Sequence, residues 1–398
     1  MRILVINWRD IRNPEAGGAE VHLHETFSRI AAWGNEVTLL CSRFPGAAES
    51  EQIDGIDVIR HGGKWTFNLT APWYYRRHLA HRSFDVVIED INKIPALMPW
   101  FLDGPPLMVL LHHLFGTTFY REINPVLATY LYFMERLIPL VYRRCLFEAV
   151  SESTRDELVR MGVAADRISV VHNGLDSRFL DAGNTGATAA PEQKDAPAAP
   201  DRKEAPAAPD RKEPGLVIYL GRLKKYKNVD HLIQAMAIVR KKVPDARLVI
   251  VGTGDRRRAL EALTRSTGLD DAVRFTGFVS EEEKLRLLTR AEVAAYPSSK
   301  EGWGITVIEA NACGVPVVAA RVPGLRDAVV DGETGVLVPP GDRESIARAL
   351  IDLLSDREKR ERLAGNAVAR SRLYTWENTA RQTMQVIRRT LGDSTDAA

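Results

Sequence analysis

Short, unbroken apolar runs alternate with amphipathic stretches along most of the chain. In the first half, runs at 3–6, 37–41, 58–60, 86–89 and 107–111 predict strands. Another closes at Val150, and one more spans 168–171. A glycine-containing loop after the first run leads into an expected helix over about 18–33, and a shorter helix is expected over 153–161. Ser151 and Ser153, both N-cap types, precede and open that shorter helix. In the second half, strands are predicted at 216–220, 247–251, 273–275, 293–296 and 315–319. Helices are predicted at 228–242, 255–267, 281–289 and 305–312, and three more near 343–354, 358–371 and 376–391. Runs that are apolar throughout belong to parallel strands covered on both faces by helices. The expected fold class is therefore α/β, with two doubly wound, Rossmann-like domains facing each other across a cleft. Ligands then sit beyond the carboxyl ends of the strands.

One segment breaks the alternation. APAAPDRKE at 196–204 repeats letter for letter at 205–213, after a Gly- and Ala-rich approach from 183. Such a stretch cannot bury enough apolar surface to offset its ordering entropy. The expected organisation is an N-terminal domain over 1–180 and a disordered linker over 181–214. A second domain covers 215–375, and a last helix over 376–398 returns to the first domain before a frayed tail.

Composition narrows the classes only slightly. Of 398 residues, 45% are hydrophobic and 27% charged, which fits a globular chain. A net charge of +2 is too balanced to argue for a nucleic-acid partner. Three cysteines (Cys41, Cys145, Cys313) stand in apolar segments without metal-ligand spacing and read as buried, reduced thiols. The start MRILVINW runs straight into a strand, and no ~20-residue apolar run follows anywhere. A cytoplasmic protein is expected, at most peripheral to the inner face of the cell membrane.

Two clusters carry the chemistry. PSSKEGWGITVIE at 297–309 follows a strand and opens a helix, so its glycines and free amides suit an anion such as a diphosphate. Glu301 and Glu309 can accept hydrogen bonds from two sets of hydroxyls, although either acid could equally be an ordinary helix-start or salt-bridged side chain. GRLKKYKN at 221–228 follows the first strand of the second half and gathers cations at a glycine turn, which suits a phosphate or a plain solvated loop.

Together these residues resemble the C-terminal domain of glycosyltransferase family 4, whose fold is called GT-B. The family's Glu, seven residues, Glu mark is matched by Glu301-GWGITVI-Glu309, and its Gly-Arg…Lys signature by Gly221-Arg222 and Lys227. VPGLRDAV from Val322 and DGETGVLVPPGD at 331–342 extend the likeness, which is strong over about 215–354. Two positions depart from the pattern: Asn228 stands where the family has Gly after the lysine, and Trp303 where it has Phe between the glycines. The resemblance implies that Arg222 and Lys227, beside Gly221, neutralise the diphosphate of a UDP-, GDP- or ADP-sugar donor. It implies that Glu301 and the backbone of Gly302, Trp303, Gly304 and Ile305 hold the donor sugar, that Glu309 binds ribose, and that Gly277-Phe278-Val279 flanks the base. Neither a metal nor another cofactor is required on this reading. The first half is similar to the family more weakly. There Gly17-Gly18 opens a helix whose amides can face the diphosphate or the acceptor, His112 is the functional histidine of the His112-His113 pair, and Asn173-Gly174 is a hinge.

The implied reaction is retaining transfer of a hexose to a hydroxyl acceptor, by front-face attack, in cell-envelope polysaccharide, glycolipid or related glycan synthesis. PWYYRRHLAHR at 72–82 and the Tyr-, Leu- and Arg-rich 120–144 interleave aromatics with arginine. They fit either an anionic membrane surface, with a carbohydrate or lipid-linked acceptor, or ordinary helices with a basic face. The competing functions are a nucleotide-sugar 2-epimerase and an inactive nucleotide-sugar-binding scaffold. The first lacks the paired-Glu pattern beside Gly-Arg…Lys, and against the second the donor-side polar residues are all present.

Overall fold

A computed structural model describes residues 1–92, 94–187 and 212–395. They form two compact units. The first comprises 1–174, 301–303 and 374 onward, and the second 175–300 and 304–373. The break in the chain between them falls directly after Gly174.

The first unit is built on an eight-stranded sheet in the order β3-β4-β2-β1-β5-β6-β7-β8. Its strands are β1 (Arg2–Ile6), β2 (Glu36–Cys41), β3 (Ser50–Ile53), β4 (Ile56–Arg60), β5 (Val86–Asp90), β6 (Leu107–Leu111), β7 (Leu146–Ala149) and β8 (Ile168–Val170). Ile3 and Val5 point to one face, where Leu23, Phe27 and Ile30 of the helix Gly18–Ala32 meet Ala380, Met384 and Ile387 of the C-terminal helix Trp376–Thr395. Leu4 and Ile6 point to the other face, under Phe67, Ala71 and Tyr75. Burial on both faces is why these strands read as continuous apolar runs. The sheet was expected to be parallel throughout and is not. β3 runs antiparallel to β4 at the edge, and its sequence SEQI buries only Ile53, so no apolar run announced it.

The second unit holds a fully parallel six-stranded sheet in the order β11-β10-β9-β12-β13-β14. Its strands are β9 (Leu216–Leu220), β10 (Arg247–Val251), β11 (Val273–Gly277), β12 (Val293–Tyr296), β13 (Val317–Ala320) and β14 (Gly335–Val338). Val217, Ile218 and Tyr219 are wholly buried, and each such apolar side chain contributes about 1.5–3 kcal/mol. Strand order reverses beside β9, whose neighbours are β10 and β12. A doubly wound sheet opens a crevice at such a reversal, and the first sheet has its own between β1 and β5.

Element limits moved where caps decide them. Asn228 has φ +50 and stands outside its helix, which runs Val229–Val239 instead of 228–242. Ser151 is the cap of the helix Glu152–Met161, accepting from the Thr154 amide, while Ser153 lies buried inside it. The linker expected over 181–214 begins later than its composition suggested, because 181–187 continue the helix Ser177–Ala187. Residues 188–211 lie outside the described residues. The three cysteines are buried and unpaired by disulfides.

Candidate active site

In the second unit, the strand order brings the two sequence clusters to one place. The loop after β9 (221–228) and the stretch after β12 (297–300) leave adjacent strands at the point of reversal. They are tied to each other: the Ser299 amide and hydroxyl donate to the Tyr226 carbonyl at 2.7 and 3.0 Å, and Asn228 Nδ2 donates to the Pro297 carbonyl at 3.1 Å. Arg222 is exposed on the first loop, with its carbonyl accepting from the Tyr219 hydroxyl at 3.2 Å. The Lys227 ammonium is half-buried and stands 5.2 Å from the Tyr226 ring centre. Gly254 keeps this rim tight, since a Cβ there would lie 2.3 Å from the Leu223 carbonyl oxygen.

Gly304, at φ +90, turns the chain into the helix Ile305–Ala312. Its carbonyl accepts the first helical bond from Val307, so the Ile305 and Thr306 amides precede the helix's own ladder. Glu309 lies inside that helix, 6% exposed, and Lys284 Nζ donates to its Oε1 at 2.8 Å. Its Oε2 is buried with no partner among the described residues. Burial raises the Glu309 carboxyl above its ordinary range, and Lys284 opposes that shift. At the outer strand, Gly277 ends β11 and Phe278 follows, 87% exposed, with Val279 half-buried against the core.

In the first unit, Asp90 ends β5 and His112 follows β6 directly, so both stand at the carboxyl edge of neighbouring strands. Asp90 Oδ2 and His112 Nε2 are 3.2 Å apart, both groups buried. The His22 ring meets His112 edge-on at 5.1 Å, and burial beside His112 holds its basicity well below the usual histidine range. Glu135 fixes the loop beyond His112 by accepting from the Phe115 and Gly116 amides at 2.7 and 2.8 Å. Residues 301–303 belong to this unit. A Cβ on Gly302 would lie 2.7 Å from the His112 carbonyl oxygen, and Trp303 stacks on His172 at 4.1 Å with Tyr374 edge-on at 5.2 Å.

The chain matches two family models end to end: Glycosyltransferase Family 4 over residues 16–179 and Glycosyl transferases group 1 over residues 201–370. The chain belongs to glycosyltransferase family 4. A D-inositol 3-phosphate glycosyltransferase of Corynebacterium urealyticum is 37% identical over 177 residues, 43% of this chain and 42% of that protein, so the match spans less than half of the relative's length. The glycogen synthase of Mycobacterium tuberculosis is 27% identical over 97% of this chain and 94% of its own. Among solved structures, a sucrose-phosphate synthase of Thermosynechococcus elongatus shares the fold with TM-score 0.75 at 22% identity, over 98% of this chain and 99% of that one. Anabaena HepE in complex with UDP and glucose does so with TM-score 0.70 at 18% identity, over the same shares of each chain. The chain therefore has the two-domain α/β fold of GT-B glycosyltransferases, each unit a Rossmann-like domain.

Within this glycosyltransferase, Gly221, Arg222, Lys227, Gly304, Ile305 and Glu309 share the second unit, with Gly277, Phe278 and Val279 at its outer strand. His112, Gly17, Gly18, Glu301, Gly302 and Trp303 share the first. One expectation shifts. The Gly17 amide already donates to Glu20 Oε2 at 2.7 Å, so it is not available to an anion and Gly18 remains the candidate. The Trp303 side chain is committed to its aromatic stack, in keeping with a role expected of its backbone alone. Pro72 ends up inside the helix Phe67–Tyr74, and 75–82 form a π turn and a 3-10 turn rather than one amphipathic helix. Lys284 and Asp90 were missed, since each acts through a partner distant in sequence. The one signal available was a carboxylate at the carboxyl end of VVIED.

Proposed function

We propose that this glycosyltransferase moves a hexose from a nucleoside-diphosphate sugar to a hydroxyl acceptor with retention of configuration, in envelope polysaccharide, glycolipid or related glycan synthesis. The observation that carries the reading is the coupling of the 221–228 loop to Pro297 and Ser299 at the strand reversal, which sets the cations of 222–227 beside the chain that leaves β12. Such a rim suits a departing diphosphate. Arg222 and Lys227 take up charge as the bond from the anomeric carbon to the phosphate oxygen breaks. The acceptor oxygen bonds to the same face of that carbon, and its proton passes to the departing phosphate oxygen, so no covalent enzyme intermediate is needed. Glu301 and the amides of 302–305 hold the sugar, Glu309 the ribose and Phe278 the base, while Gly18 is the candidate diphosphate contact and His112 the candidate catalytic histidine. The UDP found with HepE favours a uridine donor first among UDP, GDP and ADP. The acceptor is a carbohydrate or a lipid-linked glycan, met at the inner membrane face.

The test pairs a thermal-shift panel of UDP-, GDP- and ADP-sugars with turnover by Lys227→Ala and Arg222→Ala. One donor should stabilise by roughly 2.7 kcal/mol at 100 times its dissociation constant. Each substitution should lower kcat by about 100-fold or more, the size expected for a group that stabilises transition-state charge. Wild-type kcat in both variants would overturn the assignment.

A further inference from the structure

The first unit carries a surface that its own core does not explain. Trp65, Leu69 and Trp73 are 77%, 65% and 63% exposed. Spaced four residues apart, they share one side of the helix Phe67–Tyr74 and its entry, while Phe67, Ala71 and Pro72 bury the other side. The Trp73 ring meets Phe101 edge-on at 5.5 Å, which joins the neighbouring Trp100, 60% exposed, to the same patch. Arg76 closes it, donating to the Phe101 carbonyl at 3.1 Å with its guanidinium 5.3 Å from the Phe101 ring. Three of the chain's seven tryptophans thus face water together.

The charges along this surface point to one occupant. From 61 to 84 the chain has Lys64, Arg76, Arg77 and Arg82, with His61, His78 and His81, and no Asp or Glu. Glu15 pairs with Lys64 and Asp103 with Arg76, but Arg77, His78, His81 and Arg82 are all exposed and keep the local balance positive. A row of Trp and Leu flanked by arginine is the composition of a helix lying in the interface of an anionic bilayer, where indole rings suit the headgroup boundary and cations reach the phosphates. No helix among the described residues is long and apolar enough to cross a membrane, so the contact lies on the surface.

We infer that Trp65, Leu69, Trp73 and Trp100, with Arg76 and Arg77, form the face by which this enzyme docks on anionic lipid. The inference deepens the acceptor side of the function proposed above and rests on it for its purpose. Flotation reads docking without turnover, and donor-dependent thermal shift reads the donor site separately.

The experiment floats the full chain with vesicles of phosphatidylcholine mixed with phosphatidylglycerol, beside pure phosphatidylcholine, at low and high salt. Wild type should float with the anionic vesicles at low salt, and weakly with the neutral ones or at high salt. Replacing Trp65, Leu69 and Trp73 together by serine should lower partitioning on the order of 100-fold while the donor-dependent shift persists. If the triple variant does not fold, Trp65→Ser and Trp100→Ser alone should each weaken flotation. Three results overturn the inference: no flotation of wild type at low salt, undiminished flotation of the variants, or a dimer abolished by the same substitutions in a chain that ignores vesicles.

Discussion

Lys284 Nζ stands 2.8 Å from Glu309 Oε1 and an equal 2.8 Å from Glu281 Oε2, and both members of the Lys284–Glu309 pair are largely shielded from water. The pair holds a buried carboxylate in one orientation and leaves Oε2 as its open acceptor. Removing one partner of such a pair leaves an uncompensated buried charge, at a cost of about 3–5 kcal/mol. Lys284→Met is therefore expected to destabilise the second unit strongly, and Lys284→Met combined with Glu309→Gln much less. Denaturant unfolding of the two singles and the double checks this, and additive losses would refute the coupling. In turnover assays Glu309→Gln alone should raise the donor KM about 10-fold with kcat little changed, as for a contact made equally in ground and transition states.

That the two segments lie at a sheet edge was legible and the Lys284–Glu309 contact was not, for a physical reason. Gly221, Arg222, Lys227, Glu301 and Glu309 are written in two short segments whose flanking strands are apolar on both faces, so their position at a sheet edge follows from local pattern. That the two segments meet depends on strand order, which places β9 beside β12 across 72 intervening residues. Lys284 and Glu309 are 25 residues apart on different helices, and Lys284 reads as one more charge in the run EEEK. β3 was illegible because an edge strand with one buried side chain carries no apolar run. The opposite error arose at 181–187, where small residues suggested disorder and a helix continues.

The contact of Asp90 with His112 fixes how the ring is turned, with Nε2 toward the carboxyl group. A carboxylate can only accept, so its 3.2 Å partner at Nε2 is an N–H and Nδ1 is turned away from Asp90. On the role proposed above for His112, Asp90 is a positioning residue acting through it. Asp90→Asn can offer Nε2 an N–H donor instead. We expect kcat to fall by about 10- to 100-fold, the cost of one misdirected hydrogen bond to a charge-bearing group. The pH dependence of kcat should change with it, whereas a merely structural role would lower the yield of folded protein and leave the profile of the survivors intact. An unchanged kcat and profile in Asp90→Asn would remove Asp90 from the mechanism.

A second buried carboxyl offers a test that needs no substrate. Glu148 in β7 is wholly buried, accepts from the Thr383 hydroxyl of the C-terminal helix at 3.0 Å, and has Asp90 as an acidic neighbour. Burial pushes its carboxyl from an ordinary value of 4.5 up to about 8, with Asp90 adding to the shift and Thr383 opposing it. The folded state then holds a proton that the unfolded chain releases at lower pH. The stabilisation linked to that proton is fully present below about pH 4.5 and is lost as pH rises toward 8. Glu148→Gln keeps the shape and has no proton to lose. Its melting temperature should exceed that of wild type more at pH 8 than at pH 5, at ~2–4 °C for each kcal/mol in a unit of this size. Glu89, also raised by burial to about 7, titrates equally in both proteins and cancels from the difference. A gap between variant and wild type that is the same at both pH values would mean that Glu148 does not titrate across this range.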